Sequence, residues 1–161
     1  MAVWIVRAAG DAAKEREALA GGCCIAGWDE LVDFRSLDER TLKDAIGKAH
    51  PAKSNAGIAG WASQIIRFRD VMAPGDTVVM PTGGGTGVLH VGVLEGEYVH
   101  APAIPGGRPR HKRAVRWIGS MPKLRVAAEA KGTIGAFLTV YRVEKPAFER
   151  QLRGIIDSTG S

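Results

Sequence analysis

The run Gly27-Trp28-Asp29-Glu30-Leu31 holds the two side chains best suited to chemistry on a nucleobase. An indole offers a flat apolar face on which a base can stack. A carboxylate accepts hydrogen bonds, and the exocyclic amines of cytosine and adenine donate them. Cys23-Cys24-Ile25-Ala26 precedes the run and reads as a buried strand, so Trp28 and Asp29 fall at a strand end, where pockets open. The same residues also describe a core tryptophan beside a turn or helix-capping aspartate. Gln64, Arg67 and Arg69 share a helical stretch with Trp61. There glutamine can read a base edge and arginine can hold a phosphate, or all three can form a solvated face.

Other chemistries are poorly served. Gly83-Gly84-Gly85-Thr86-Gly87 lacks the lysine and hydroxyl residue that a phosphate loop places at a helix mouth. Val88-Leu89-His90 follows instead, which makes the glycines a hairpin tip, one that can touch DNA. Glu129-Ala130-Lys131 matches half of a restriction-nuclease signature, but there is no aspartate between Asp76 and Asp157 to share a metal. His50, His90, His100 and His111 lack ligand spacing, and His90 reads as a hydrogen-bonded strand residue. Cys23 and Cys24 are adjacent, so they point to opposite faces of a strand and stay reduced. No catalytic set, metal site or cofactor is expected.

The chain has 161 residues, 45% hydrophobic and 24% charged, which suits one globular domain with its own core. No apolar run is long enough to cross a bilayer, and the N-terminus shows no secretory pattern, so the expectation is a cytoplasmic protein. The net charge of +5 favours polyanionic partners. Arg108, Arg110, Lys112, Arg113 and Arg116 crowd into nine positions with His111 among them and no acid. Such a strip is either a solvated face or a phosphate-binding one, with salt-sensitive affinity.

The elements that must position these residues follow from periodicity. Val3 to Val6 is β-branched and aromatic, a buried strand. Asp11 caps a helix through Ala20, stopped by Gly21-Gly22. Ser36-Leu37-Asp38-Glu39 has capping-box spacing for a helix carrying Leu42, Ala45, Ile46 and Ala49. Ser54 caps the next, where Ile58, Trp61, Ile65, Phe68 and Met72 recur at helical spacing until Pro74-Gly75. Thr77 to Met80 and Val88 to Val93 read as a hairpin, with further strands near Ala114 to Ile118 and Phe137 to Val143. Pro146 opens a short final helix through Ile156. Helices among five or six strands predict an α+β, barrel-like domain.

Taken in order, several segments resemble a known family: Trp4 to Arg7, Ile25 to Leu31, Ala62 to Phe68, Pro74 to Pro81, Val91 to Val93 and His111 to Trp117. Over roughly residues 2 to 143 the chain is similar to the PUA-like (EVE- and YTH-related) domain found N-terminal to the nuclease in Mrr-type modification-dependent restriction endonucleases. The resemblance implies a PUA-like twisted β-barrel of five to six strands over residues 1–145, with 146–161 a short helix or linker. It implies a reader of double-stranded DNA carrying a modified base, with 5-methylcytosine ahead of N6-methyladenine and the nuclease on another domain or partner. The expected base pocket is Trp28, Asp29, Trp61, Gln64 and Trp4. Phosphates fall to Arg67, Arg69, Arg108, Arg110, Lys112, Arg113 and Arg116. Where the family pattern expects an aromatic in the long helix this chain has Ile65-Ile66, so Trp28 acts with one other aromatic. An RNA-binding module is the alternative, and an enzyme using Asp29 or Glu30 as a base on a nucleotide-like substrate a third.

Overall fold

Alternation along short β-branched strands divides two cores between the faces of one sheet. In strand β1 (Val3–Val6), Trp4 and Val6 enter one apolar cluster and Val3 and Ile5 another. The computed structural model describes residues 1–8, 11–135 and 138–159. Helix α1 (Ala12–Gly21) follows, capped by Asp11, then strand β2 (Cys23–Ile25). Two helices come next, α2 (Glu39–Ala49) and α3 (Asn55–Ile66), the latter running into a π-helical turn at Arg67–Val71. Strands β3 (Thr77–Thr82), β4 (Val88–Pro102) and β5 (Pro109–Pro122) form a meander. A four-residue helix α4 (Lys131–Ile134), strand β6 (Val140–Val143) and helix α5 (Pro146–Thr159) complete the chain. Phe137, expected to open β6, lies outside the described residues.

The six strands make one mixed sheet in the order β2-β5-β4-β3-β1-β6. Only β1 and β3 run parallel; every other neighbour is antiparallel. The fold is α+β as expected, but the sheet is not closed into a barrel, and β2 and β6 end the strand order. Bulges between Val91 and Gly92 and between Leu94 and Tyr98 bend the long β4–β5 ladder. Its far half thereby carries β2 rather than continuing the main sheet.

The first core lies between the sheet and α2 and α3. Phe34, Leu42, Ile46, Ile65 and Phe68 have no exposed surface there. The second packs α5 on the opposite face through Phe148 and Leu152, against Ile5, Val79, Leu89 and Val143. Each such aliphatic or aromatic side chain stabilises by about 1.5–3 kcal/mol on burial. Pro146–Thr159 is thus a helix docked on the sheet. Cys24 joins the first core and Cys23 a small third one under α1, so the two thiols do point apart, and both are free.

One cap differs from expectation. Asp38, not Ser36, starts α2: its Oδ1 accepts from the Thr41 amide at 2.8 Å and from the Thr41 hydroxyl at 2.9 Å. Ser36 is instead spent in a turn closed by the Leu37 amide on the Phe34 carbonyl. At the β3–β4 connection Gly83 sits at φ 71°, and a Cβ on Gly87 would lie 1.8 Å from the Thr82 carbonyl oxygen. The glycines there are a tight hairpin tip, not a phosphate loop.

Candidate nucleic-acid site

Trp28 is the sole non-glycine residue among those described with a positive φ, at 65°. That conformation costs an L-residue roughly 1–2 kcal/mol and must be held in place. Its carbonyl accepts twice, from the Leu31 amide at 3.0 Å and from His111 Nε2 at 2.9 Å. Because a carbonyl only accepts, His111 carries its proton on Nε2 and its Nδ1 is an acceptor. Tyr98 donates its hydroxyl to that nitrogen at 2.7 Å, and the Phe34 amide donates to the Tyr98 oxygen at 3.0 Å. Phe34 stacks on the imidazole with ring centres 3.9 Å apart, and His100 stacks at 4.6 Å. Burial, then the neighbouring His100, pulls the His111 pKa down to about 4. The ring is thus neutral and serves as a fixed strut for the Trp28 backbone.

The Trp28 indole is 8% exposed and meets Trp61 edge-on, with centres 6.1 Å apart and planes at 66°. Trp61 is half-buried on α3. His50 approaches its edge, Lys53 Nζ lies 3.7 Å from its ring centre, and Glu30 holds His50 at 2.7 Å. The two indoles meet at a corner.

Asp29 is drawn into an ion cluster rather than capping a helix. Its Oδ2 accepts from Lys14 at 2.6 Å and Arg110 at 2.9 Å, and Arg110 also reaches Glu17 at 2.6 Å. Two cations balance two anions in a largely desolvated place, where geometry must be good for such pairs to persist. Two polar atoms remain buried with no hydrogen-bond partner: Asp29 Oδ1 and Arg110 Nε. Buried polar atoms are normally satisfied by protein groups or ordered water, so an acceptor here with no protein donor is open to a water or a ligand.

Several expected site residues serve the fold instead. Trp4 is buried, with Nε1 donating to Asp76 at 2.9 Å. Gln64 is buried too, its Oε1 accepting from the amides of Thr139 and Val140 at the start of β6. Arg113 is 2% exposed and donates to the carbonyls of Gly96, Phe68 and Met72, so it cannot hold phosphate. Arg110 is 7% exposed and committed to Glu17 and Asp29. Arg69 fixes the loop before α2 through the carbonyls of Phe34 and Leu37 and pairs with Asp70. Lys112 is half-buried and donates to the Pro102 carbonyl. Of the predicted phosphate residues, Arg67, Arg108 and Arg116 are exposed; Arg116 lies 3.9 Å from Glu95. A strand inside a sheet must turn alternate residues inward, and in β5 that took Arg113.

Lys14, Glu17, Tyr98 and the role of His111 escaped sequence reading, since no local spacing joins residues 14, 17, 29 and 110. Glu129 accepts from the Ala147 amide at the start of α5, a capping contact. His90 bonds Thr82 Oγ1 within the sheet at 3.3 Å. Among the described residues no group of three His, Cys, Asp or Glu side chains could hold a metal ion, and no helix is long and apolar enough to cross a membrane.

With 10% identity and a TM-score of 0.50, the structure is similar to the crystal structure of the YTH domain of the Zygosaccharomyces rouxii MRB1 protein in complex with N6-methyladenosine RNA. The match covers 96% of this chain and 86% of that one, a likeness of fold. No curated protein matches the sequence. A family model does, over residues 4–144, which takes in every strand but the first residue of β1. The chain belongs to the family described as domain of unknown function DUF8426.

Proposed function

We propose that this domain reads a methylated base in nucleic acid, taking the flipped base into the corner between Trp28 and Trp61. The observation that carries the reading is Asp29 Oδ1, a buried acceptor to which no described protein group donates. A cytosine or adenine exocyclic amine is a donor of the matching kind, and an N6-methylated amine keeps one hydrogen to give. Lys14 and Arg110 keep the other carboxylate oxygen fixed, so the acceptor is oriented before the base arrives. Extruding a base costs a few kcal/mol. Parting the two indoles costs about 0.5–1.5 kcal/mol more, which stacking of the base on the freed faces offsets.

Double-stranded DNA with 5-methylcytosine is the partner favoured, N6-methyladenine the next, supported by the resemblance to the recognition domains of Mrr-type endonucleases. On that reading the domain is the recognition module of a modification-dependent restriction system, and the cutting is done by another domain or partner. RNA is the second reading, favoured by the fold's likeness to a YTH domain crystallised with N6-methyladenosine RNA. Fluorescence anisotropy with matched methylated and plain duplex DNA, and with methylated and plain RNA, separates these. A methyl group in an apolar niche gives roughly 10- to 200-fold discrimination. Trp61→Ala, which leaves the Asp29 cluster intact, should reduce that ratio towards one. Equal affinity for all methylated and plain strands would end the proposal.

A further inference from the structure

The rings stacked around His111 form a column that reaches the surface. Phe34 and His100 both lie nearly parallel to the His111 imidazole, at 9° and 15°, with ring centres 3.9 and 4.6 Å away. One face of a five-membered ring holds a single stacked ring, so these two take opposite faces. Phe34 and His111 are fully buried, whereas His100 is only partly so. The order from the core outward is therefore Phe34, His111, His100. Antiparallel register sets His100 on β4 directly across from His111 on β5, which brings the two imidazoles to one face of the sheet. His111 cannot turn, because both its nitrogens are bonded, to the Trp28 carbonyl and the Tyr98 hydroxyl.

His100 is the end of the column. Among the described residues no ring but His111 meets it, and no group hydrogen-bonds its nitrogens. The acid whose field it meets is Asp33, and Arg35 balances that carboxylate at 2.9 Å. A flat ring backed by a fixed column is a preorganised surface for a base, since every base has a π face and little freedom is left to lose. Its place in the fold says which base. His100 is two contacts from the Trp28 corner, imidazole to imidazole and imidazole to the Trp28 carbonyl. The loop from Trp28 to Phe34 joins the corner to the inner end of the column. Extruding a base takes a stacking partner away from each of its neighbours in the strand.

We infer that the outer face of His100 is a stacking platform for the base that adjoins the flipped nucleotide, replacing the partner that base has lost. This rests on the reader proposal above and adds a second point of recognition to it, one tolerant of sequence.

The test couples the protein to the strand in a double-mutant cycle. Affinities are measured by fluorescence anisotropy for wild type and His100→Ala, on methylated DNA that is either intact or abasic at the nucleotide 5′ or 3′ to the methylated one. On one of the two sides the abasic change should cost wild type roughly 5- to 140-fold more than it costs the variant, the value of one stacked base. On the other side it should cost both alike. His100→Phe, which keeps a flat ring, should behave as wild type. His100→Leu, which keeps bulk against His111 without a flat face, repeats the cycle should the alanine variant fold poorly. Equal costs on both sides, or a phenylalanine variant as weak as the alanine one, overturn the platform while a high ratio of methylated to plain affinity leaves the base reading intact. Coupling to His100 on methylated and plain strands bound equally well would keep the platform and refute the base-reading proposal instead.

Discussion

Acidification should destabilise the protein through one residue, His111. Its Nε2–H is given to the Trp28 carbonyl and its Nδ1 accepts the Tyr98 hydroxyl, so a second proton has no place to go without displacing that hydroxyl. The folded pKa is about 4, whereas an unfolded histidine titrates near 6.5. Below 6.5 the unfolded chain takes up a proton that the folded chain refuses. The stabilisation is complete above that value and is lost as pH falls towards 4. From these two values the loss between pH 7 and pH 5 is about 2 kcal/mol, in a range where most carboxylates stay ionised. Urea denaturation at intervals between those limits measures it. His90, whose pKa is also lowered by burial, adds a loss of the same sign, so His111→Gln serves as the reference. Wild type should lose about 2 kcal/mol more than the variant over this range. Parallel curves would refute the neutral, strut-like role given to His111.

Tyr98→Phe strands the Phe34 amide and His111 Nδ1 together, and should cost about 2–4 kcal/mol by thermal or urea denaturation. At position 28 the backbone favours glycine, so Trp28→Gly should be about 1 kcal/mol more stable than Trp28→Ala, although both lose the indole; the reverse order would remove the strain argument. Gln64→Leu should cost about 2 kcal/mol by orphaning the Thr139 and Val140 amides, while leaving the preference for methylated strands intact. Arg113→Met should cost about 3 kcal/mol and produce no separate loss of phosphate contacts once folded protein is compared at equal concentration.

The sequence was informative where local physics decides. The buried strand at Val3 to Val6, the Ser54 cap, the adjacent cysteines and the glycine tip all follow from neighbours a few positions apart. The open sheet was not legible, because closure depends on how bulges in β4 and β5 divert β2, and no residue type announces a bulge. The β5 strip misled for a related reason. Charge density reads as exposure, yet the pleat sends Arg113 inward, where backbone carbonyls from α3's extension and the β4 bend accept it. Trp28 and Asp29 were singled out from their place at a strand end. Their partners were not, since Lys14, Glu17 and Arg110 meet Asp29 only through tertiary folding.

Four indole N–H groups offer internal reporters for the claim that a base is received at Trp28. Those of Trp4 and Trp117 are already tied, to Asp76 and to the Ala18 carbonyl. In a ¹⁵N-resolved NMR titration, a methylated oligonucleotide should shift the Trp28 and Trp61 signals while Trp4 and Trp117 stay in place, and the plain strand should shift them far less. Unmoved Trp28 and Trp61 resonances at saturation would contradict the account.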